Sequence, residues 1–212
     1  MTTKEFIAIE KRLLASFPGF VTKGALMFIQ PLNHTLRGFQ FEPSAFSKKD
    51  FYVNVFFLPL CIPTRHVHFT FGHRLARGHS ERWSVDQPDL EVALRTEMQK
   101  DLSFLTNLST PKGVMKALEP FAKRDNPHSH EALAYVFAQA DEVKAALDAI
   151  AALLKLTDTT VPWQQEVAFR AQSIRAKLLA DPEDARRQLT LWETETINNL
   201  GLGGLRPNRR VS

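Results

Sequence analysis

Apolar residues at the start of the chain follow the spacing of a helix. They recur every three or four positions and predict one buried helical face. They are Phe6, Ile9, Leu13 and Phe17. Thr2 and Glu5 are spaced as a capping box, which predicts that the helix begins there, and the following Pro-Gly pair predicts its end.

Four short segments after this helix have the composition of β-strands. Aromatic and β-branched residues are concentrated in them, and proline, glycine and asparagine separate them. The segments are Phe20–Gln30, Thr35–Phe41, Phe51–Leu60 and His66–His73. Trp83 and Val85 either extend the last segment or form a fifth strand. Because short loops join antiparallel neighbours, we expect an antiparallel meander.

From Pro88 onward the apolar residues return to helical spacing and predict several amphipathic helices. The apolar stripes run over residues 90–105, 133–154, 163–178 and 189–200. The stripe from Leu133 to Leu154 predicts one long helix, and a break at the polar cluster of Gln139, Asp141 and Glu142 is the alternative. Short links marked by proline favour a small antiparallel bundle. No residue pattern recurs at a fixed period, so a repeat array is not indicated.

Composition divides the chain at the same place. Thirteen of the 16 phenylalanines precede Leu108, whereas 16 of the 22 alanines follow it. We therefore expect an α+β fold, with an N-terminal helix and an antiparallel sheet of four or five strands in residues 1–108. A helical bundle in residues 109–200 follows. Three glycines open the segment 201–212, which we expect to be a flexible basic tail.

Several classes of protein do not fit this composition. No uncharged apolar run approaches the roughly 20 residues that span a bilayer. Acids and lysines in the first turns do not suit a signal peptide. A single cysteine, Cys61, excludes an internal disulfide, and its apolar neighbours predict a buried, inert thiol. We expect a cytoplasmic protein without a membrane partner.

Net charge argues against nucleic acid as the partner. The chain carries +4, of which residues 1–108 contribute +3 and residues 109–212 contribute +1. Three arginines of the C-terminal half lie in the last seven residues. A nucleic-acid-binding domain usually has a wider basic stripe, so we rank this function behind the alternatives below.

The stretch R-H-V-H-F-T-F-G-H-R-L, from Arg65 to Leu75, is the one that suggests chemistry. On a strand, alternate residues face the same side, so His66, His68 and Thr70 would share one face. The phenylalanines would take the other face. This alternation predicts a half-buried antiparallel strand with a basic outer face.

Two neighbouring histidines on one strand face could also coordinate a metal ion together. Zinc or iron would need at least one further His or carboxylate nearby. His79 and Glu81, beyond a predicted turn at Gly78, are the candidates to complete a site with His66 and His68. A metal-dependent enzyme is therefore the alternative hypothesis; the leading expectation is that no cofactor is bound.

The arginines of the same stretch suggest an anion-binding surface. Four arginines and four histidines lie between residues 65 and 82, with Glu81 as the only acid. Guanidinium groups pair bidentately with oxyanions, so an acidic protein or an anionic ligand is the expected partner. The candidate residues are Arg65, His66, His68, Arg74 and Arg77, joined by Tyr52 and Asn54, which share a strand face.

One run of sequence resembles a known group of proteins. The run from Phe51 to Leu75 has an aromatic-valine strand, a Pro-Leu-x-x-Pro turn and an ending Phe-Gly-x-Arg-Leu. With the preceding helix and the entry G-F-V-T-K-G, it is similar to the N-terminal region of bacterial proteins classed as domains of unknown function. The resemblance implies an α+β fold and carries no activity and no functional residues.

Function follows mainly from what the motifs lack. No pattern places a nucleophile, a base and oxyanion donors together, and apolar stripes account for most of the chain. The leading hypothesis is a non-enzymatic binding or adaptor protein that uses the cationic strand and loop. The oligomeric state does not follow from the sequence.

Overall fold

The structure is a computed structural model that describes residues 3–123 and 125–205. Its helices are α1 (Thr3–Leu14), α2 (Leu90–Lys100), α3 (Leu102–Asn107), α4 (Pro111–Ala122), α5 (Pro127–Gln139), α6 (Val143–Leu156), α7 (Pro162–Ala180) and α8 (Pro182–Asn199). Its strands are β1 (Phe20–Lys23), β2 (Leu26–Ile29), β3 (Thr35–Pro43), β4 (Asp50–Pro59), β5 (Phe71–Arg74) and β6 (Trp83–Ser84). A 3₁₀ turn follows at Gly203–Leu205.

The predicted α+β class is confirmed, because an N-terminal helix, an antiparallel sheet and a run of helices follow one another along the chain. The strand order is β1-β2-β3-β4-β5, and β6 also pairs with β4. Asn54 of β4 lies opposite Arg74 of β5, and Phe51 lies opposite Trp83 of β6. Strands β5 and β6 therefore follow one another along the same side of β4.

Two strand predictions need correction. The segment Phe20–Gln30 is a hairpin of two strands, because Gly24 adopts a positive φ of 64° and turns the chain. The predicted strand His66–His73 is wrong, since only Phe71–Arg74 pairs with β4. The Thr64 hydroxyl instead donates to the His66 carbonyl and accepts from the His66 amide, so a local side-chain turn competes with the sheet.

Phenylalanine rings form the core between α1 and the sheet. Phe6 packs against Phe41 and Phe51 at centroid distances of 6.2 and 5.9 Å. Phe17, just after the helix, packs edge-on against Phe20 at 5.6 Å. All five rings are buried. The sequence pattern that predicted α1 thus marks the face that packs on the sheet.

Two predicted helices are each divided in two. The stripe at residues 90–105 breaks at Asp101 into α2 and α3. The stripe at residues 133–154 breaks between α5 and α6, inside the polar cluster, so the prediction of one continuous helix is wrong and the alternative of a break at this cluster is correct. Asp141 has a φ of 66° there, which a continuing right-handed helix cannot accommodate. The apolar spacing continues across both breaks because α2 and α3 bury residues in one core and α5 and α6 bury residues in another.

Polar side chains cap the starts of α4, α5 and α8. Thr110 accepts a hydrogen bond from the Gly113 amide, Asn126 from the His128 amide and Asp181 from the Glu183 amide. The predicted capping residue Thr2 lies outside the described residues. So do Arg206, Arg209 and Arg210 of the predicted tail.

The chain forms two compact units. One contains residues 3–58 and 68–107 together with Leu205, and holds α1, α2, α3 and the sheet. The other contains Pro59–Val67 and Leu108–Gly204. In this helical unit α5 contacts α4, α6, α7 and α8, so α5 is its central helix. None of the described helices combines the length and the apolar character needed to cross a membrane.

Gly38 on β3 offers a test of the sheet register. A Cβ at this position would lie 2.2 Å from the Met27 carbonyl oxygen and 2.6 Å from the Phe28 Cα. Gly38→Ala is expected to lower the free energy of unfolding by about 1–3 kcal/mol, measured by urea denaturation. Gly204→Ala is the control, because its Cβ would meet nothing within 4 Å. Equal effects of the two variants would contradict the register at Gly38.

Candidate binding site on the outer face of the sheet

Alternating burial along β4 defines the two faces of the sheet. Phe51, Val53 and Val55 are buried, whereas Tyr52 and Asn54 are partly exposed, as the sequence predicted. We call the side that carries Tyr52 and Asn54 the outer face. Cross-strand pairing places Gly72 and Arg74 of β5 on this face, opposite Phe56 and Asn54.

Tyr52, Asn54 and Arg74 were predicted as binding residues and lie together on the outer face. The Arg74 guanidinium carbon lies 4.1 Å from the centroid of the Tyr52 ring, which is a cation–π contact. The Asn54 amide donates to Gln40 Oε1 at 2.7 Å and to Glu42 Oε2 at 3.2 Å. The polar side chains of three adjacent strands thus hold one another in place.

Arg74 is held in position but keeps free donors. Its guanidinium lies 3.7 Å from Glu42 and 3.8 Å from Glu81, beyond hydrogen-bond distance in both cases. It makes no hydrogen bond with the part of the chain that the structure describes. About 41% of its side chain is exposed, so its N–H groups are open to a partner.

A cleft of about 180 Å³ lies beside Arg74. Phe69 and Arg74 are among its walls, and Val55 of β4 and Gly72 of β5 contribute to its lining. Phe69 is 42% exposed and packs edge-on against the buried Phe56 at 5.2 Å. Gly72 has a φ of 137°, and a Cβ there would lie 2.0 Å from the Val55 carbonyl oxygen, so glycine is required. We call Tyr52, Asn54, Phe69, Gly72 and Arg74 the Arg74 patch.

Two other arginines of the predicted cationic surface, Arg77 and Arg82, have carboxylates close by. Arg77 donates to both carboxylate oxygens of Asp89, at 3.1 and 2.8 Å, and lowers the pKa of that carboxyl. Arg82 lies 3.6 Å from Asp50. Acids from β4 and from the start of α2 therefore balance this stretch. The sequence interpretation counted only Glu81 as an opposing acid, because the other acids are distant in sequence.

The His-x-His pair does not have the strand geometry expected of it. His68 belongs to the unit that contains the sheet, and its Nδ1 lies 3.1 Å from the Thr70 hydroxyl. Arg65 and His66 belong to the helical unit, in the segment Pro59–Val67. The two histidines precede β5 and do not share a strand face.

His79 and Glu81 were the candidates to complete a metal site. His79 lies in a tight turn at Gly78, closed by the Arg77–Ser80 bridge, and Glu81 faces Arg74. Across residues 3–123 and 125–205, no three His, Cys, Asp or Glu side chains are grouped so that they could hold a metal ion. The zinc or iron alternative thus has no ligand set in the described part of the chain.

His73 is a residue whose setting the sequence did not reveal. It lies on the opposite face from Arg74, where its Nε2 is 3.2 Å from Asp101 Oδ1. The hydrogen bond to Asp101 raises the pKa of His73 above its ordinary value. Asp101 occupies the break between α2 and α3. Because the sequence predicted one continuous helix over residues 90–105, it gave no reason to expect a contact between His73 and Asp101.

The helical unit holds a buried ion pair that also escaped the sequence analysis. Glu131 on α5 is fully buried, and Arg170 on α7 donates to both of its oxygens, at 2.8 and 3.2 Å. Burial raises the pKa of the nearby Tyr135 well above its usual range. The predicted burial of Cys61 is confirmed, and burial raises the pKa of its thiol, as expected of an inert side chain.

Comparison with known proteins adds no functional assignment to this geometry. The chain matches no protein-family model, no curated protein and no solved structure.

Proposed function

We propose that this protein is a non-enzymatic binding protein and that the Arg74 patch is its contact surface for another protein. The observation that carries the proposal is the Arg74–Tyr52 stack beside an open cleft. Arginine and aromatic side chains dominate the binding energy of protein interfaces, especially where a pocket accepts a partner side chain. A guanidinium already stacked on a ring loses little conformational entropy when it binds.

The charges around the patch favour a basic or neutral partner segment over an acidic one. Glu42 and Glu81 flank Arg74, so these three side chains carry a net charge of −1. All three are about half exposed, and such charges contribute only about 0.2–1 kcal/mol per contact. Charge therefore selects among partners, and the cleft and Arg74 supply most of the affinity.

Site-specific photo-crosslinking in the native host tests this proposal. Benzoylphenylalanine in place of Phe69 is expected to capture a protein partner. The same probe in place of Phe46, which is 93% exposed in the loop before β4, is expected not to capture it. Arg74→Gln in the Phe69 probe is expected to reduce the yield about tenfold or more, as loss of an interface arginine does.

Arg77→Gln is the matched control for the arginine. Arg77 is as exposed as Arg74, but it already donates two hydrogen bonds to Asp89. Its variant is expected to crosslink as the parent does. The proposal fails if both phenylalanine positions capture the same proteins, or if Arg74→Gln and Arg77→Gln leave the same yield.

A further inference from the structure

Hydrogen bonds fix which backbone groups of β5 point away from the sheet. The Leu75 amide donates to the Val53 carbonyl at 2.8 Å, and the Val85 amide donates to the Lys49 carbonyl at 3.0 Å. Hydrogen-bonded pairs alternate with non-bonded pairs in an antiparallel ladder. His73 therefore directs its N–H and C=O toward β4, whereas Gly72 and Arg74 direct theirs outward.

This outward edge is open. β5 ends the strand order, so no further strand of the described sheet pairs with it. The N–H and C=O groups of Gly72 and Arg74 have no other hydrogen-bond partner in residues 3–123 and 125–205. Gly72 is partly exposed and Arg74 is exposed. An open edge of this kind is a template for pairing with another chain.

We infer that the partner docks by strand addition, as an extended segment whose backbone pairs with Gly72 and Arg74. This inference rests on the proposed function and specifies how the Arg74 patch is used. Main-chain hydrogen bonds would supply affinity, and side chains at alternate positions would supply specificity. The partner residues opposite Gly72 and Arg74 would both present their side chains on the outer face.

The patch defines the chemistry of those two partner residues. The residue opposite Gly72 lies beside the cleft next to Phe69, so it carries an apolar side chain. The residue opposite Arg74 shares the outer face with Arg74, Glu42 and Glu81, whose net charge is −1, so it carries a lysine or arginine side chain. If the partner strand runs antiparallel to β5, its three residues from the N-terminus are therefore a basic residue, any residue and an apolar residue.

A second copy of this chain suits the edge less well. Antiparallel pairing of β5 with itself, with Gly72 opposite Arg74, would place the Arg74 side chain of one copy at the cleft of the other, where an apolar side chain is favoured. It would also place Gly72, which has no side chain, where the carboxylates around Arg74 favour a cation. A segment of another protein is the occupant that the edge favours.

Hydrogen exchange on the isolated protein tests the open edge without any ligand. The amides of Gly72 and Arg74 are expected to exchange at rates near those of an unfolded chain, whereas the His73 amide is protected by β4. Slow exchange at Gly72 and Arg74 would mean that the edge is already covered. That result would overturn strand addition and leave the crosslinking test of the Arg74 patch unaffected.

A peptide titration tests the pairing itself. The probe is the blocked peptide acetyl-Thr-Lys-Thr-Leu-Thr-amide at millimolar concentration, followed by amide chemical shifts of the labelled protein. We expect shifts at Gly72 and Arg74. N-methylation of the lysine or the leucine, whose N–H groups face β5, is expected to weaken binding about tenfold. N-methylation of the central threonine, whose N–H faces away, is expected to change it less than twofold.

The outcomes separate the two proposals. Replacing lysine with glutamate in the peptide is expected to weaken binding about threefold, since the flanking charges are exposed. Equal affinity for all the N-methylated peptides, or no shift at Gly72 and Arg74, would overturn strand addition. If Arg74→Gln still abolished crosslinking in that case, the patch would bind through side chains alone.

Discussion

Arg170→Ala is expected to lower the free energy of unfolding by about 3–5 kcal/mol, because it leaves a buried carboxylate without its counter-charge. Glu131 is fully buried, and the two hydrogen bonds from Arg170 compensate its desolvation. Removing the guanidinium removes this compensation and leaves the desolvation cost in place. Urea denaturation followed by circular dichroism measures the change.

Two further variants make this result specific. Arg175→Ala changes an exposed arginine on the same helix and is expected to alter stability by less than about 0.5 kcal/mol. The double variant Glu131→Met with Arg170→Met removes both charges, so it is expected to recover most of the loss. If Arg170→Ala is no more damaging than Arg175→Ala, the ion pair does not stabilise the helical unit.

Stability of the sheet unit is expected to fall as the pH rises from about 4.5 to about 8. Glu10 on α1 is fully buried, and neither carboxylate oxygen has a hydrogen-bond partner among the described residues. Burial raises the pKa of Glu10 from 4.5 to about 8. The folded protein therefore binds a proton that the unfolded chain releases above pH 4.5, so its stability decreases by roughly 2–5 kcal/mol across this range.

Glu10→Gln isolates this effect. Glutamine keeps the shape of the neutral acid and cannot ionise, so the variant is expected to be more stable than the parent at pH 8 and similar to it at pH 4.5. His73 contributes a decline of the same sign, since its raised pKa stabilises the fold only while the imidazole is protonated. The difference between parent and variant cancels that contribution. Denaturation curves from pH 4.5 to 8.5 provide the measurement.

The control for Glu10 is Glu195→Gln, which changes an exposed carboxyl on α8. It is expected to leave the pH dependence of the parent unchanged. A parent protein with constant stability from pH 5 to 8 would show that the Glu10 carboxyl is solvated or paired in solution. Equal slopes for the parent and Glu10→Gln would show the same.

Only part of the Arg74 patch could be predicted from the sequence. Tyr52 and Asn54 were placed on one face because side-chain alternation along β4 is local. Their contact with Arg74 depends on the register between β4 and β5, which local pattern does not specify. Phe69 was assigned to a buried strand face, whereas it is 42% exposed beside the cleft. The strand begins only at Phe71, so alternation does not extend to Phe69.

The net charge of the candidate surface is another property that the sequence did not predict, because the charged residues that meet there are far apart in the chain. Residues 65–82 are rich in arginine and histidine, and the sequence interpretation was therefore a cationic patch. The fold brings Glu42, Asp50 and Asp89 to within 4 Å of Arg74, Arg82 and Arg77. The basic residues are local in sequence, whereas the acids that balance them come from three other elements. Counting charges in a window could not detect this balance.

The sequence by itself determined the α+β class, the general order of helices and strands, and the faces of α1 and β4. These properties depend on capping, turn residues and periodicity over a few neighbouring positions. Tertiary structure alone decided the β4–β5 register, the Glu131–Arg170 pair, the burial of Glu10 and the open edge of β5. Each of these joins residues far apart in the chain, so its energy depends on packing and pairing that only the folded chain establishes.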